Sequence, residues 1–439
     1  MANFGRCALA RLGFMPTAAH LHALDLGRFV MASPSSFHAA QEGARRLEEG
    51  GFRVLSETDE WPSAPGGYAV VRDGALIAWV VPDGTGPLTP FRILGAHTDS
   101  PSFKLKPKPT TGAHGWLQAG VEVYGGPMLN SWLDRELRLA GRLVTVDGAE
   151  HLVASGPLLR FPQLAIHLDR AVNDGLTLDR QRHMNPVWGL GNPAGADLLG
   201  LLAELAGVDP GEVGGYDLVV ADTQESAVFG SEGEFFASGR LDNLSSVHAG
   251  VTAISRSLDG ARETAIPVLA AFDHEEVGSS TRSGACGPFL EDVLARIGDV
   301  LGATATERRR AFAASWHVSA DAGHAIHPNY PEKHDPANRP VLNGGPLLKI
   351  NAQQRYATDA AGAALWARLC AEAEVPYQEF VSNNDVPCGS TIGPLTATRL
   401  GMRTVDVGVP LLSMHSAREL AGVQDPWRLA LVAERFFAG

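Results

Sequence analysis

Two short apolar runs, Tyr68–Arg72 and Ala75–Val81, meet at Asp73-Gly74, the pattern of a β-hairpin closed by a tight turn. Upstream, Ser33-Pro-Ser-Ser-Phe-His offers a serine N-cap to a helix that continues through the polar stretch Gln41–Glu49. Arg92–Ala96 reads as a buried strand leading straight into His97. From Gly239 onward the pattern becomes regular. Helices are predicted over Asp242–Ser255, Glu291–Leu301, Asp359–Ala373 and Pro426–Phe437. Strands are predicted over Ile266–Phe272, Trp316–Ala320, Leu347–Ile350, Tyr377–Val381 and Thr404–Val407. Such alternation predicts an α/β fold with a mostly parallel sheet covered by helices on both faces.

Between them the texture differs. Lys104-Leu-Lys-Pro-Lys-Pro is punctuated by proline, and predicted strands over Leu137–Val146 and His151–Ala154 meet at Asp147-Gly148. Residues 101–237 therefore read as an inserted β-rich domain, interrupting a body built from 1–100 and 238–439. Within the insertion, His167–Gly191 is predicted to be a long irregular loop, a kind of segment that is usually functional or poorly ordered. A chain of 439 residues is too long for one compact core, which agrees with two bodies.

Composition narrows the function classes. With 45% hydrophobic and 19% charged residues the chain has the make-up of a soluble globular protein. A net charge of −13 argues against nucleic acid as a partner. No apolar run reaches the roughly 18 residues needed to cross a membrane. Cys7, Cys286, Cys370 and Cys388 show no paired spacing, so reduced thiols and a cytoplasmic location are expected. Met1–Leu24 carries Arg6 and Arg11 without an acidic residue, a faint likeness to a transit peptide. The plainer reading is a short ragged leader, and no secretory apolar core is visible.

The candidate chemistry lies in five short stretches at predicted strand ends. They are Gly95-Ala-His97-Thr-Asp99-Ser, Gly239-Arg-Leu-Asp242-Asn, Phe272-Asp-His-Glu275-Glu276-Val-Gly, Ser319-Ala-Asp321 and Ser413-Met-His415-Ser. Taken singly, each has an ordinary explanation. Asp242-Asn243 is a normal helix cap, and a lone His415 is more often a satisfied core histidine. Glu275-Glu276 is harder to dismiss, because adjacent carboxylates after an apolar strand are costly to bury without a cation. Sites in open α/β sheets lie beyond the carboxyl ends of the strands. Five stretches of imidazole and carboxylate placed there suggest a site for two divalent ions of zinc-like character. His97 and Asp99, two apart, point the same way, so Asp99 or a neighbour can orient the second nitrogen of His97.

Longer stretches make the resemblance specific. Ala32-Ser-Pro-Ser-Ser-Phe-His, Gly95-Ala-His-Thr-Asp-Ser-Pro, Leu164-Ala-Ile-His-Leu-Asp-Arg170 and Asp273-His-Glu-Glu-Val-Gly-Ser resemble the M18 family of metallopeptidases, the aspartyl aminopeptidases. So do Ala325-Ile-His-Pro-Asn-Tyr330, Lys349-Ile-Asn-Ala-Gln-Gln-Arg-Tyr-Ala, Asn384-Asp-Val-Pro-Cys-Gly-Ser-Thr-Ile-Gly-Pro394 and Leu412-Ser-Met-His-Ser416. The likeness spans nearly the whole chain.

The resemblance implies a three-layer α/β/α metallopeptidase domain interrupted by a β-rich dimerisation domain. It implies two metal ions, most simply Zn²⁺ with Mn²⁺ or Co²⁺ as substitutes, bridged by Asp242. His97 and Asp321 would hold one ion, Glu276 and His415 the other, and Glu275 would be the general base. Lys349 would contact the acidic side chain of the substrate, His324 would touch substrate near Asp321, and His167 would serve a neighbouring subunit's site. A tetrahedral homo-dodecamer built from dimers follows, acting on peptides with an acidic N-terminus. The chain departs from the family pattern at Asp321-Ala-Gly-His324 and at Val381-Ser-Asn, places that shape the pocket and leave the five ligands intact. Two other functions fit the same residues: a dinuclear aminopeptidase or deacylase of neutral preference, and a non-catalytic peptide-binding assembly.

Overall fold

The computed structural model describes residues 17–258 and 264–439. Of the leader region, 1–16 lie outside these, and the remainder belongs to a helix, Ala18–Ala32, that was not expected. Thr17 caps it by accepting the His20 N–H, and Ala19, Ala23, Leu26 and Phe29 bury one face at helical spacing. The next helix, Ser36–Glu49, starts within the expected stretch and with a serine cap. Its N-cap is Ser35, whereas Ser33 ends the preceding helix through an N–H to the Val30 carbonyl.

The first strands are β1 (Arg53–Leu55), β2 (Gly66–Arg72), β3 (Ala75–Val81) and β4 (Phe91–His97). The β2–β3 hairpin forms as expected, with Asp73 at φ +55° in its turn. The middle region folds into β5 (Ser102–Thr111), β6 (Trp116–Tyr124), β7 (Leu137–Thr145), β8 (Glu150–Ala154), β9 (Val187–Leu190) and β10 (Val213–Asp222). These six form one antiparallel sheet in the order β8-β7-β10-β5-β6-β9. The predicted loop over His167–Gly191 therefore ends early, because Val187–Leu190 pairs with the free edge of β6.

The chain then adds β11 (Ala227–Phe229) and β12 (Phe235–Ser238), followed by the helix Leu241–Ser257. After it come β13 (Ile266–Phe272), β14 (Trp316–Ala320), β15 (Gly323–His324), β16 (Leu347–Ile350), β17 (Gln378–Val381), β18 (Arg403–Gly408), β19 (Pro410–Leu412) and β20 (Glu419–Gly422). Nine strands make the main sheet, ordered β1-β2-β3-β13-β4-β14-β18-β16-β17. Its centre, β13-β4-β14-β18, is parallel, and antiparallel pairs occur at β2–β3, β3–β13 and β16–β18. A five-stranded sheet, β11-β12-β20-β19-β15, stands beside it.

Helices cover both faces of the main sheet, giving three layers. Ala18–Ala32, Ser36–Glu49, Leu241–Ser257, Ala360–Glu372 and Gln424–Ala438 share one apolar core. Phe289–Val300 and Ile392–Leu400 pack on the opposite face. The six-stranded sheet has a core of its own around Phe103, Trp132, Leu139 and Phe161. Because β13, β4 and β14 are adjacent and parallel, the residues following them emerge at one edge of the sheet. Those residues include Glu275, His97 and Asp321. Asp242 and His415 arrive differently, following β12 and β19 of the small sheet, so only three of the five stretches end strands of the main sheet.

Gly408, the last residue of β18, shows how tightly that edge is packed. A Cβ at this position would lie 1.7 Å from the Asp321 carbonyl oxygen. Gly408→Ala is therefore expected to lower the unfolding free energy by about 1–3 kcal/mol or more. Gly156→Ala, with open space around it, should change stability by less than about 0.5 kcal/mol in the same denaturant titration.

Candidate metal centre

His97 ends β4 and is buried, with 1% of its surface exposed. Its Nδ1 faces the Asp99 backbone carbonyl at 3.1 Å, which makes Nδ1 the protonated nitrogen and leaves the Nε2 lone pair for the site. That Nε2 lies 3.3 Å from Asp242 Oδ1 and 3.4 Å from Asp321 Oδ1. His415 Nε2 lies 3.4 Å from Asp242 Oδ2 and 3.4 Å from Glu276 Oε2. All four separations exceed the usual hydrogen-bond distance, about 2.9–3.0 Å for N–H···O. They match the edge of a tetrahedron, about 3.3–3.4 Å, whose centre is an ion with bonds of about 2.0–2.1 Å.

The two oxygens of Asp242 thus face two different imidazoles. Donor atoms of His97, Asp242 and Glu276 also lie within 4.8 Å of one another. Asp242 Oδ1 and Glu276 Oε1 are buried without a hydrogen-bond partner. Orphaned buried carboxylate oxygens beside imidazole nitrogens at coordination spacing fit a zinc-type cation.

Electrostatics agree. Burial would depress the His97 imidazole, but Asp242, Asp321 and Asp99 outweigh it and hold it well above the ordinary range. Burial, reinforced by Asp242, pushes Glu276 well above the ordinary carboxylate range. Burial, with the charges of Asp321, Asp242 and Asp99, lifts Glu275 to about 8. Protein charges alone therefore load this cluster with protons, and a cation answers the same excess of negative charge.

The surroundings fix these side chains. Asp99 is a hub: its Oδ1 accepts the Glu275 N–H at 3.0 Å, and its Oδ2 accepts the Glu276 N–H at 3.1 Å and the Tyr124 hydroxyl at 2.8 Å. Glu419 is buried and accepts the backbone N–H groups of Asp242 and His415 at 3.0 and 2.8 Å. Asn243 donates to the Ala320 carbonyl at 2.8 Å, tying the Asp242 turn to β14. Sequence reasoning found Asp99 and missed Tyr124 and Glu419. The only trace of Glu419 was an acid four residues after His415.

The remaining candidates divide. His324, on β15, lines a cavity of about 220 Å³ that Tyr356, Phe380 and Ser413 also border. Lys349, on β16, is almost fully buried; its ammonium donates to the Ala322 carbonyl at 2.7 Å and stands 3.6 Å from Asp321 Oδ2. It is not an ordinary solvated lysine, and it sits behind Asp321 rather than on that cavity's wall. His167 lies exposed in the irregular stretch between β8 and β9 and is not brought into the cluster.

Comparison with known proteins places the chain in a family. Residues 29–437 match the M18 family, described as aminopeptidase I zinc metalloprotease. The chain is 54% identical over 413 residues to "Probable M18 family aminopeptidase 2" of Streptomyces coelicolor, covering 93% of this chain and 96% of that protein. It superposes on a chain from a solved structure of the Ape4 and Nbr1 complex with a TM-score of 0.91 and 40% identity, covering 96% of this chain and 86% of that one. The S. cerevisiae mApe1 dodecamer superposes at a TM-score of 0.82 and 29% identity, over 94% and 96% of the two chains. The chain belongs to the M18 family of zinc aminopeptidases.

A ligand that binds only the folded state stabilises it by mass action. Zinc at about 100 times its dissociation constant should add about 2.7 kcal/mol to the unfolding free energy of chelator-stripped protein. Asp242→Asn should lose most of that increment. An unchanged increment in this variant would remove Asp242 from the centre.

Proposed function

We propose that this M18 aminopeptidase removes acidic residues, Asp or Glu, from the N-termini of peptides, using two zinc ions that share Asp242. The observation that carries the two-ion reading is the pair of imidazoles, His97 and His415, facing opposite oxygens of one carboxylate. His97 and Asp321 would hold one ion, Glu276 and His415 the other. When bound, the ions supply Lewis acidity toward the scissile carbonyl and acidify water.

The chain's own residues do the rest. Glu275, held through its backbone N–H by Asp99, takes the proton of the attacking water and passes it to the leaving amine. Tyr356 and Phe380 give the neighbouring cavity an apolar wall, while His324 offers a polar contact beside Asp321.

The acidic preference rests on charge. Lys333 lines the cavity together with the hydrogen-bonding imidazoles of His324, His327 and His334, of which burial holds His324 and His334 below the ordinary imidazole range, and no carboxylate lines it among the described residues. Lys349 adds a buried positive charge behind its floor, which favours an anionic side chain and disfavours a cationic one. One observation favours neutral preference instead: the Lys349 ammonium already has a partner in Ala322.

Residues 101–237, which contain the six-stranded sheet, would serve dimerisation. Twelve chains would assemble as in the yeast relative, with the exposed His167 reaching a neighbour's site. A cytoplasmic location fits the free thiols of Cys286, Cys370 and Cys388. No helix among the described residues is long and apolar enough to cross a membrane.

Asp- and Glu-anilides should be hydrolysed with higher kcat/KM than Leu-anilide, and Lys349→Ala should narrow that ratio about tenfold or more. Faster cleavage of Leu, with no effect of Lys349→Ala, would establish the neutral reading. Glu275→Gln should lower kcat by about 10²–10⁴-fold while zinc content is unchanged. Coexpressed Glu275→Gln and His167→Ala chains should recover activity that neither has alone, because mixed assemblies contain sites with both groups intact. No recovery would place His167 outside the reaction.

A further inference from the structure

Tyr124, Gly125 and Gly126 leave the end of β6, on the six-stranded sheet, yet all three reach the donor cluster that the main and small sheets build. The Tyr124 hydroxyl donates to Asp99 Oδ2 at 2.8 Å, and the same oxygen accepts the Glu276 N–H at 3.1 Å. Gly125 has φ +67°, and a Cβ there would stand 3.1 Å from the Glu276 Cβ. The Gly126 carbonyl accepts from His415 Nδ1 at 3.1 Å, which turns the unprotonated Nε2 toward Asp242 and Glu276. Two residues on, the Met128 N–H donates to the His415 carbonyl at 2.9 Å.

The other half of the cluster is held differently. His97 receives its orienting contact from the Asp99 backbone carbonyl, and the Asp321 N–H donates to Val407 on the neighbouring strand β18. Both supports belong to the main sheet and its immediate continuation. The inserted sheet therefore holds Glu276 and His415 by direct contact through Gly125 and Gly126, and reaches His97 only through Asp99, whose Oδ1 stands 3.4 Å from His97 Nδ1; Asp321 is left to the main sheet.

We propose that Tyr124–Gly126 is a positioning strap that sets the affinity of one cation position, the one served by Glu276 and His415. Seating of the inserted sheet then governs whether that ion is held, while the His97–Asp321 position is filled independently. The inference rests on the two-ion reading above and adds an inequality between the two ions. A hydrogen bond to a carboxylate that fixes a ligand's backbone, and a carbonyl that fixes a ligand's tautomer, are the contacts whose loss weakens metal binding about 10–100-fold. Tyr124 and Gly126 act through other groups and need not touch substrate.

The test is stepwise zinc binding to chelator-stripped, full-length protein, read by competition with a zinc-sensitive dye. Wild type should bind two ions. Tyr124→Phe should weaken one of the two ions about tenfold or more and leave the other unchanged. Gly125→Ala, which presses on Glu276, should do the same. Tyr216→Phe removes another phenol of the same sheet, one that donates to the Lys106 carbonyl at 2.7 Å, and should change neither ion. In a His415→Ala background, where the strapped position is already lost, Tyr124→Phe should have no further effect on the remaining ion. Wild-type affinities in Tyr124→Phe, or equal weakening of both ions, overturns the strap while leaving the two-ion reading standing. A single ion bound by wild type overturns both.

Discussion

The interaction on which this structure depends is repulsion among buried carboxylates that have too few protein cations to answer them. Asp242, Glu275, Glu276 and Asp321 converge at one sheet edge with Asp99 and Glu419 directly behind them. The nearby cationic side chain, Lys349, reaches only Asp321, from behind. With ions in place the two imidazoles, whose Nδ1 atoms face the carbonyls of Asp99 and Gly126, would present nitrogen lone pairs rather than charge; without ions the same carboxylates hold both above the ordinary imidazole range. Such a cluster is unfavourable unless protons or metal ions neutralise it. Its donor spacing suits metal ions.

The fold assembles these groups by drawing on all three sheets. The parallel centre of the main sheet delivers His97, Glu275, Glu276 and Asp321 from adjacent strand ends, a consequence of strand order alone. The small sheet delivers Asp242 and His415, and Glu419 locks those two together through their backbone N–H groups. The inserted sheet supplies Tyr124 and Gly126 as outer supports. No single layer contains a complete site, so the chemistry is available only after the separate bodies have docked.

Much of this was legible in the sequence because the signals are local. The strands Ile266–Phe272, Trp316–Ala320 and Leu347–Ile350 are short, largely apolar runs whose bounds the structure reproduces. The hairpin at Asp73-Gly74 announces itself through turn chemistry. The His-x-Asp and Glu-Glu pairs stand out because each follows such a run. Other features depended on tertiary context and gave no local signal. The first turns of the helix Ala18–Ala32 fell in the expected leader, Met1–Leu24, because its mild apolar face is stable only when packed against Leu241–Ser257 and Gln424–Ala438. Val187–Leu190 is a strand only because β6 offers an edge. Tyr124 and Glu419 are ordinary residues in sequence; 25 positions separate Tyr124 from Asp99, and 177 separate Glu419 from Asp242. Lys349 was found as a residue but not as a place: a buried partner of Asp321 is not what a strand pattern can reveal.

The claim at the centre of the account is that two cations flank Asp242, each seated between one of its oxygens and a different imidazole. Anomalous diffraction at the zinc edge from zinc-loaded crystals tests it most directly. Two peaks are predicted, one beside His97 and Asp321, the other beside Glu276 and His415. A single peak at Asp242, or peaks elsewhere, would contradict it.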